Sequence, residues 1–284
     1  MPKLTISRDE WLTAASFGDL TRLETWNKSG ALDIKYDPVR LGADVPQGRA
    51  KIFDVSDTDK ENALHKAIRS GQVDYALRLL ELGRFPETRN IKGETPLMQA
   101  AELAQESVVS TLIGLGHGID VQDKKGRTAL SRAVSKKSVP VSKILLDAGA
   151  SIETTSEKSV LTEAVMANHP ELVGMLLAAG ADPKEQENGE GTCFHRLACN
   201  WDREDSEQET PRRQIMRLLV RAGADTETGV KERNGALTAL RDLFFHKPGF
   251  DVTLPAEISA WHAEQLDMNT AEVVPSRRTS TPRL

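Results

Sequence analysis

The sequence predicts an all-α fold in which helix–turn–helix units stack into a solenoid. The first observation is an internal repeat, because Leu64, Leu97 and Leu130 follow one another at intervals of 33 residues. A fixed period of about 20 to 50 residues indicates a repeat architecture. The second observation is an aromatic content of only 5%, which argues against a β-sandwich or barrel.

Each predicted unit has the same internal spacing. Gly116 follows Leu97 by 19 residues, and a small alanine stands three residues after the leading leucine. Thr95 can cap the first helix of the unit, and Pro96 takes the first helical position, where its missing N–H group is not needed. The glycine supplies the left-handed residue that ends the second helix. The pattern therefore predicts two antiparallel helices and a turn in every unit.

Two segments precede the regular units. Residues 1–36 are predicted to form a degenerate N-terminal capping repeat, because Gly30 follows Trp11 by the same 19 residues. Residues 37–57 are rich in proline and glycine, so we predict an insertion loop there, with a short strand at 51–55.

Residues 58–266 are predicted to form the main repeat array. Its units begin at Leu64, Leu97, Leu130, Leu161, Phe194 and Leu237, which with the N-terminal unit makes seven. An acidic insertion near 200–210 enlarges the sixth unit, and its end, Thr210-Pro211, has the form of a helix cap. We interpret this insertion as a solvated loop; contact with a basic partner, or closure over the binding surface, is the alternative. The polar residues 267–284 are predicted to be a disordered tail.

The repeat resembles the ankyrin repeat family, whose unit carries Thr-Pro-Leu-His at the first helix and Gly-Ala after the second. The resemblance covers roughly residues 8–266 and is strongest at Thr95-Pro96-Leu97 and Gly180-Ala181-Asp182. Met98 and Ser131 stand where the family has histidine, and we expect them to weaken those helix caps. The resemblance implies an ankyrin-repeat solenoid whose hairpin tips and exposed first-helix faces form a concave groove for partners.

The histidines, cysteines and glycines do not form a pattern typical of a catalytic, metal or phosphate site. His65 and His195 occupy the family's histidine position, where the ring orders a turn. Cys193, His195 and Cys199 lie close together, but their spacing matches no tetrahedral zinc site. No glycine-rich phosphate loop is present. We therefore expect no enzymatic activity, no cofactor and no metal, and keep an enzyme with an unfamiliar site near Cys193 as a remote alternative.

The composition limits the kinds of partner and the cellular compartment that the sequence predicts. Lys and Arg number 37 against 42 Asp and Glu, so the chain carries a formal charge of −5 and has no overall attraction for nucleic acid. No stretch approaches the roughly 20 apolar residues of a membrane span, and no secretory signal is visible. Because two cysteines are too few for a disulfide framework, we expect an intracellular protein, cytoplasmic or nuclear. Secretion without a cleaved signal stays open.

Aligning the units on their leucines predicts the residues that line the groove. The fourth unit is basic, with lysines of its neighbours on both sides, and several apolar side chains follow the same surface. The candidate partner-binding residues are Ile91, Lys92, Glu94, Leu103, Lys124, Lys125, Arg127, Lys136, Lys158, Met166 and Trp201. An apolar anchor with charges around it is typical of protein interfaces. Solvated lysine tips, and a Trp201 packed inside the insertion, are the alternatives.

These observations favour a non-catalytic protein–protein interaction module or adaptor. We expect it to bind another protein that has acidic and apolar features, to need no membrane, and to be monomeric by itself. The second hypothesis is an ankyrin-type binder of an anionic small ligand or nucleic acid that uses the basic fourth unit. Strong salt dependence with little side-chain selectivity would favour that hypothesis.

Overall fold

The computed structural model describes residues 6–33, 56–82, 88–153, 158–185, 192–199, 210–224, 230–231 and 237–238. The strand predicted at 51–55, the acidic stretch 200–209 and the tail 267–284 lie outside these residues. The described part of the chain is built almost entirely from paired helices, so the predicted all-α class is confirmed.

The helices follow the predicted order, two to a unit. They are α1 (Arg8–Phe17), α2 (Leu20–Lys28), α3 (Ala63–Arg69), α4 (Val73–Leu82), α5 (Pro96–Glu102), α6 (Glu106–Gly114), α7 (Ala129–Ser135), α8 (Val139–Asp147), α9 (Val160–Met166), α10 (Pro170–Ala178), α11 (Cys193–Cys199) and α12 (Pro211–Arg221). A 3-10 turn at Ala31–Asp33 follows α2. Strands β1 (Val230–Lys231) and β2 (Leu237–Thr238) pair antiparallel.

The helices form two layers. The first helices α1, α3, α5, α7, α9 and α11 each pack on the next, and the second helices α4, α6, α8, α10 and α12 do the same behind them. Each first helix between α3 and α11 has only seven residues, about two turns. Such short helices are marginal alone, so stacking against neighbours supplies the stability.

The repeated leucines form the centre of the core. Leu64, Leu97 and Leu130 are fully buried, and Leu161 and Phe194 are nearly so. The alanines three residues after the four leucines, at 67, 100, 133 and 164, are also fully buried. Because a methyl group is the whole side chain at these positions, adjacent first helices can approach closely.

The helix caps agree with the sequence, with one exception. Thr95 and Thr210 each accept a hydrogen bond from the backbone N–H three residues later, and a proline follows each of them, as predicted. Ser131 was expected to weaken its cap, and this expectation is wrong. Its hydroxyl accepts a hydrogen bond from the N–H of Thr128, and Thr128 Oγ1 accepts one from the N–H of Ser131, which completes a capping box.

The two ends of the array differ from its middle. In the N-terminal unit Trp11 and Trp26 are buried against each other, with ring centroids 5.8 Å apart. At the other end Leu237, predicted to begin a last unit, lies in strand β2 opposite Lys231. The count of seven units and the domain boundaries stay predictions.

Candidate protein-binding groove

The hairpin tips between units are built on a repeated acidic or amide side chain. Asp57, Asn90 and Asp123 stand 33 residues apart. In each case the side-chain Oδ1 accepts hydrogen bonds from the backbone N–H groups two and four residues later, at 2.7–3.0 Å. Such side-chain bonds to the following backbone stabilise tight turns. The three tips therefore have one shape, fixed from within.

Neighbouring tips are also joined to each other. The N–H of Ile91 donates to the carbonyl of Asp59 at 2.9 Å, and the N–H of Lys124 donates to the carbonyl of Lys92 at 3.1 Å. Gly93 permits this approach: its φ is +79°, and a Cβ there would lie 3.1 Å from the backbone nitrogen of Lys124. The tips consequently form a continuous, backbone-bonded edge along the first-helix layer.

Arg132 of α7 lies at the floor behind this edge. Its side chain is only 3% exposed and contacts three carboxylates from different parts of the chain. Nη2 donates to Glu94 Oε1 at 2.8 Å and to Asp123 Oδ2 at 2.6 Å, and Nη1 donates to Glu102. One guanidinium thus connects the third tip, the fourth tip and helix α5.

The charges of this network hold its carboxyl groups ionised. Burial by itself would raise the pKa of Glu94, but hydrogen bonds from Asn90 and Arg132 outweigh it, so that the pKa is lowered. Burial likewise opposes ionisation of Asp123, and the backbone N–H of Arg127 together with the Arg132 guanidinium lowers its pKa. Both groups are therefore carboxylates at neutral pH, and Arg132 neutralises part of their charge.

An open depression of about 660 Å³ lies between the tips and the first helices. It is lined by seven of the predicted residues, namely Ile91, Lys92, Glu94, Leu103, Lys124, Lys125 and Arg127. Ile91 and Leu103 are 43% and 46% exposed, which is high for large apolar side chains. The structure thus brings most of the predicted residues to one place.

The charged residues of the depression fall into two groups. Glu94 is buried and bound by Arg132, and Arg127 pairs with Asp123 at 2.9 Å, so both belong to the frame of the groove. Lys92, Lys124 and Lys125 are exposed, and within the described residues their ammonium groups make no ion pair. The rim of the depression therefore carries three exposed ammonium groups, of which that of Lys92 also helps to lower the pKa of Glu94.

The other predicted residues lie farther along the layer. Lys136 is 3.4 Å from Glu102, so it borders the depression. Lys158 and Met166 lie together in the fifth unit, with Nζ 3.5 Å from Sδ. They do not line the depression, and Trp201 lies outside the described residues.

Sequence reasoning missed the floor of the groove. It did not single out Arg132, Asp123 or Gln99, although the recurrence of Asp or Asn at 57, 90 and 123 was visible and indicated the tips. Gln99 and Arg132 occupy one register, two residues after the leading leucine, where Gln99 donates to Glu61 of the preceding unit at 3.3 Å. A polar residue at this register looks exposed in the sequence, and only the neighbouring unit buries it.

The histidines and cysteine of the described residues have structural partners. His65 is fully buried, with Nδ1 2.8 Å from Asn62 Oδ1, and this burial lowers its pKa. His195 Nδ1 accepts from the N–H of Thr192 at 3.0 Å, and the buried Cys193 Sγ donates to the carbonyl of Pro183 at 3.6 Å. In the described ranges no group of three His, Cys, Asp or Glu could hold a metal ion. None of the helices that the structure describes is long and apolar enough to cross a membrane.

Solved structures with the same architecture are ankyrin repeat domains. The domain of Bcl-3, an IkappaB family member, is 22% identical, with a TM-score of 0.59, 80% of this chain covered and 90% of that one. A domain from Acinetobacter baumannii AYE is 20% identical (TM-score 0.61, coverage 76% and 99%). The human ASB11 domain is 19% identical (TM-score 0.59, coverage 83% and 96%). These likenesses establish the fold.

Sequence comparison identifies the family. No curated protein sequence matches the chain. The family model described as ankyrin repeats in three copies matches residues 41–123 and 100–187, which together span just over half of the chain. With the 33-residue register, the paired helices and the bonded hairpin tips, this match shows that the chain belongs to the ankyrin repeat family.

Proposed function

We propose that this chain is a non-catalytic interaction module that holds a partner protein in the depression between its third and fourth units. Ankyrin repeat domains are in general protein–protein interaction modules. The observation that carries the proposal here is the pair of exposed apolar side chains, Ile91 and Leu103, beside the unpaired lysines Lys92, Lys124 and Lys125.

This arrangement has the composition of a binding site for an acidic partner with an apolar anchor. An apolar side chain of the partner would be desolvated between Ile91 and Leu103, which is where most binding energy arises in protein interfaces. The lysines would steer carboxylates toward the site and fix their register, with less effect at high salt. Because the tips are held by backbone bonds, little ordering entropy is lost on binding.

The remaining features of the proposal concern the oligomeric state of the chain and its cellular compartment. Two cysteines are too few for a disulfide framework, which is typical of a reducing compartment, so we place the activity in the cytoplasm or nucleus. The chain acts as a monomer, and its partner occupies the concave face. Glu94 and Arg127 act by supporting the groove, while the lysines and the apolar pair touch the partner.

Capture from a lysate of the source organism tests this proposal with two matched variants of the full chain. Leu103→Glu places a charge in the depression, whereas Leu115→Glu changes a leucine of similar exposure, 55%, at the end of α6. We expect a specific protein to bind the native chain and the Leu115 variant, and to be lost with the Leu103 variant. Circular dichroism must first show that both variants are folded.

Other results would overturn the proposal. A partner that binds all three proteins equally uses a surface other than the depression. Recovery of nucleic acid that nuclease removes, with a steep dependence on salt, would favour the second hypothesis of an anion-binding basic unit.

A further inference from the structure

Exposed apolar side chains recur on alternate units of the first-helix layer. Phe17 ends α1 and is 78% exposed, Leu103 directly follows α5, and Met166 ends α9 and is 45% exposed. They stand five or six residues after Trp11, Leu97 and Leu161, the leading residues of the first, third and fifth units. Positions five and six residues after the leading residue are the two places in each first helix that the alignment of the units assigns to the groove.

The two units between them carry a basic residue at one of these positions, each in an ion pair: Arg69 with Glu61 at 3.1 Å and Lys136 with Glu102 at 3.4 Å. Arg69 follows Leu64 by five residues and Lys136 follows Leu130 by six, and their side chains are 54% and 53% exposed. The fourth unit adds the unpaired tip lysines Lys124 and Lys125. Among the described residues, the lysines of the depression that make no ion pair therefore lie at the tips of the third and fourth units, namely Lys92, Lys124 and Lys125.

The distance between the apolar positions restricts the shape of a ligand. Neighbouring packed helices lie about 8–10 Å apart, so positions two units apart are separated by about 16–20 Å. An extended chain rises about 3.3 Å per residue and covers this distance in about five to six residues. An amphipathic helix instead presents apolar side chains about 5–6 Å apart, and it would place some of them against the charged side chains that lie between the apolar positions.

We infer that the partner of the proposed function is an extended acidic segment with three apolar side chains spaced about six residues apart. Each apolar side chain contacts one of Phe17, Leu103 and Met166, and carboxylates of the segment face Lys92, Lys124 and Lys125 at the tips of the third and fourth units. This inference rests on the proposed function and adds the length, charge and spacing of the bound segment.

Two fluorescein-labelled peptides of equal composition test the spacing. In one, leucines stand six residues apart with Asp, Glu and Ser between them, and in the other they stand four apart. Fluorescence anisotropy with the full chain is expected to give a dissociation constant about tenfold lower for the six-residue spacing. Equal affinities, or tighter binding of the four-residue spacing, would overturn the inference.

Charge reversal tests the electrostatic part with a matched control. Changing Lys92, Lys124 and Lys125 to Glu is expected to weaken binding of the six-spaced peptide by about a hundredfold at low salt. The control reverses the charge of three exposed lysines that do not line the depression, at 28, 143 and 184. We expect this control to leave the affinity within about twofold of the unchanged protein. Equal losses for both variants would overturn the assignment of the lysines.

A double-mutant cycle assigns the outer contacts. Phe17→Ala is expected to weaken binding of the six-spaced peptide about fivefold. It is expected to have no effect on the binding of a peptide in which the matching terminal leucine is replaced by Ala. Met166→Ala is expected to couple in the same way to the opposite terminal leucine. If Leu103 is required but neither terminal leucine couples, the extended register is wrong. In that case loss of the captured natural partner with Leu103→Glu would still support the proposed function.

Discussion

Replacement of Arg132 by Met should destabilise the protein strongly at neutral pH. Its guanidinium is almost completely buried and binds Glu94, Asp123 and Glu102. Removing one partner of a buried ion pair costs about 3–5 kcal/mol, because a buried charge is left without compensation. Here Asn90 still binds Glu94 and Arg127 still binds Asp123, so we expect a loss near the lower limit, about 3 kcal/mol.

The size of this loss should depend on pH in a defined direction. The folded-state pKa values of Glu94 and Asp123 lie below the ordinary values of these groups, 4.5 and 3.8. Their ionised forms therefore stabilise the native chain fully above about pH 5.5, and this stabilisation is lost as the pH falls through the lowered values. In the Met variant the carboxylates lack their partner and become easier to protonate. The difference between the two proteins should consequently shrink below about pH 4.5.

Urea unfolding followed by far-UV circular dichroism measures this difference between pH 7 and pH 3.5. The matched control is Arg127→Met, which removes an ion pair with the same Asp123 from a side chain that is 35% exposed. We expect that control to lose only about 0.5–1 kcal/mol. A loss below about 1 kcal/mol for the Arg132 variant at pH 7, or a loss that stays constant on acidification, would refute the reasoning.

Three further predictions concern the backbone and a buried ring. Ala104 has a φ of +54°, a conformation that glycine adopts without strain. Ala104→Gly should therefore stabilise the chain by about 0.5–1 kcal/mol, measured as a higher midpoint of urea unfolding. An unchanged or lower midpoint would contradict this prediction. Gly93→Ala should lower the free energy of unfolding by about 2–3 kcal/mol, because the added Cβ would approach Lys124. The control Gly71→Ala has a similar φ but open space around the added Cβ, so it should cost only about 1 kcal/mol. Equal losses of stability in thermal unfolding would show that the tip contact is unimportant. Burial lowers the pKa of His65 below 6.5. The neutral ring therefore contributes fully to stability above pH 6.5, and this contribution declines as the pH falls below 6.5. An NMR titration in which the His65 ring protonates at or above pH 6.5 would disprove the effect.

The sequence was sufficient to predict the repeating frame and most of the rim. The 33-residue register identified the buried leucines, the threonine caps and the tip positions, because each depends on contacts within one unit or on its identical neighbour. The same register brought Ile91, Lys92, Lys124 and Lys125 together, and all four line one depression; their role in binding stays a prediction. The sequence did not distinguish Glu94, now part of the frame, from the exposed tip residues.

The floor of the groove required the structure. Arg132 meets carboxylates 38, 30 and 9 residues earlier in the chain, and no local pattern indicates that these four side chains converge. Arginine is also rarely buried unless it is paired, so sequence reasoning treats it as solvated.

The bonded tips have a consequence for how this surface can change. The bonds that join Ile91 to Asp59 and Lys124 to Lys92 use only backbone atoms, and the turns are closed by Asp57, Asn90 and Asp123 rather than by the residues at the rim. The side chains at positions 91, 92, 124 and 125 can therefore be exchanged while the frame persists. Substitution at these four positions thus carries little risk to folding, and the same property makes them suitable for randomisation when new binding proteins are engineered from this chain.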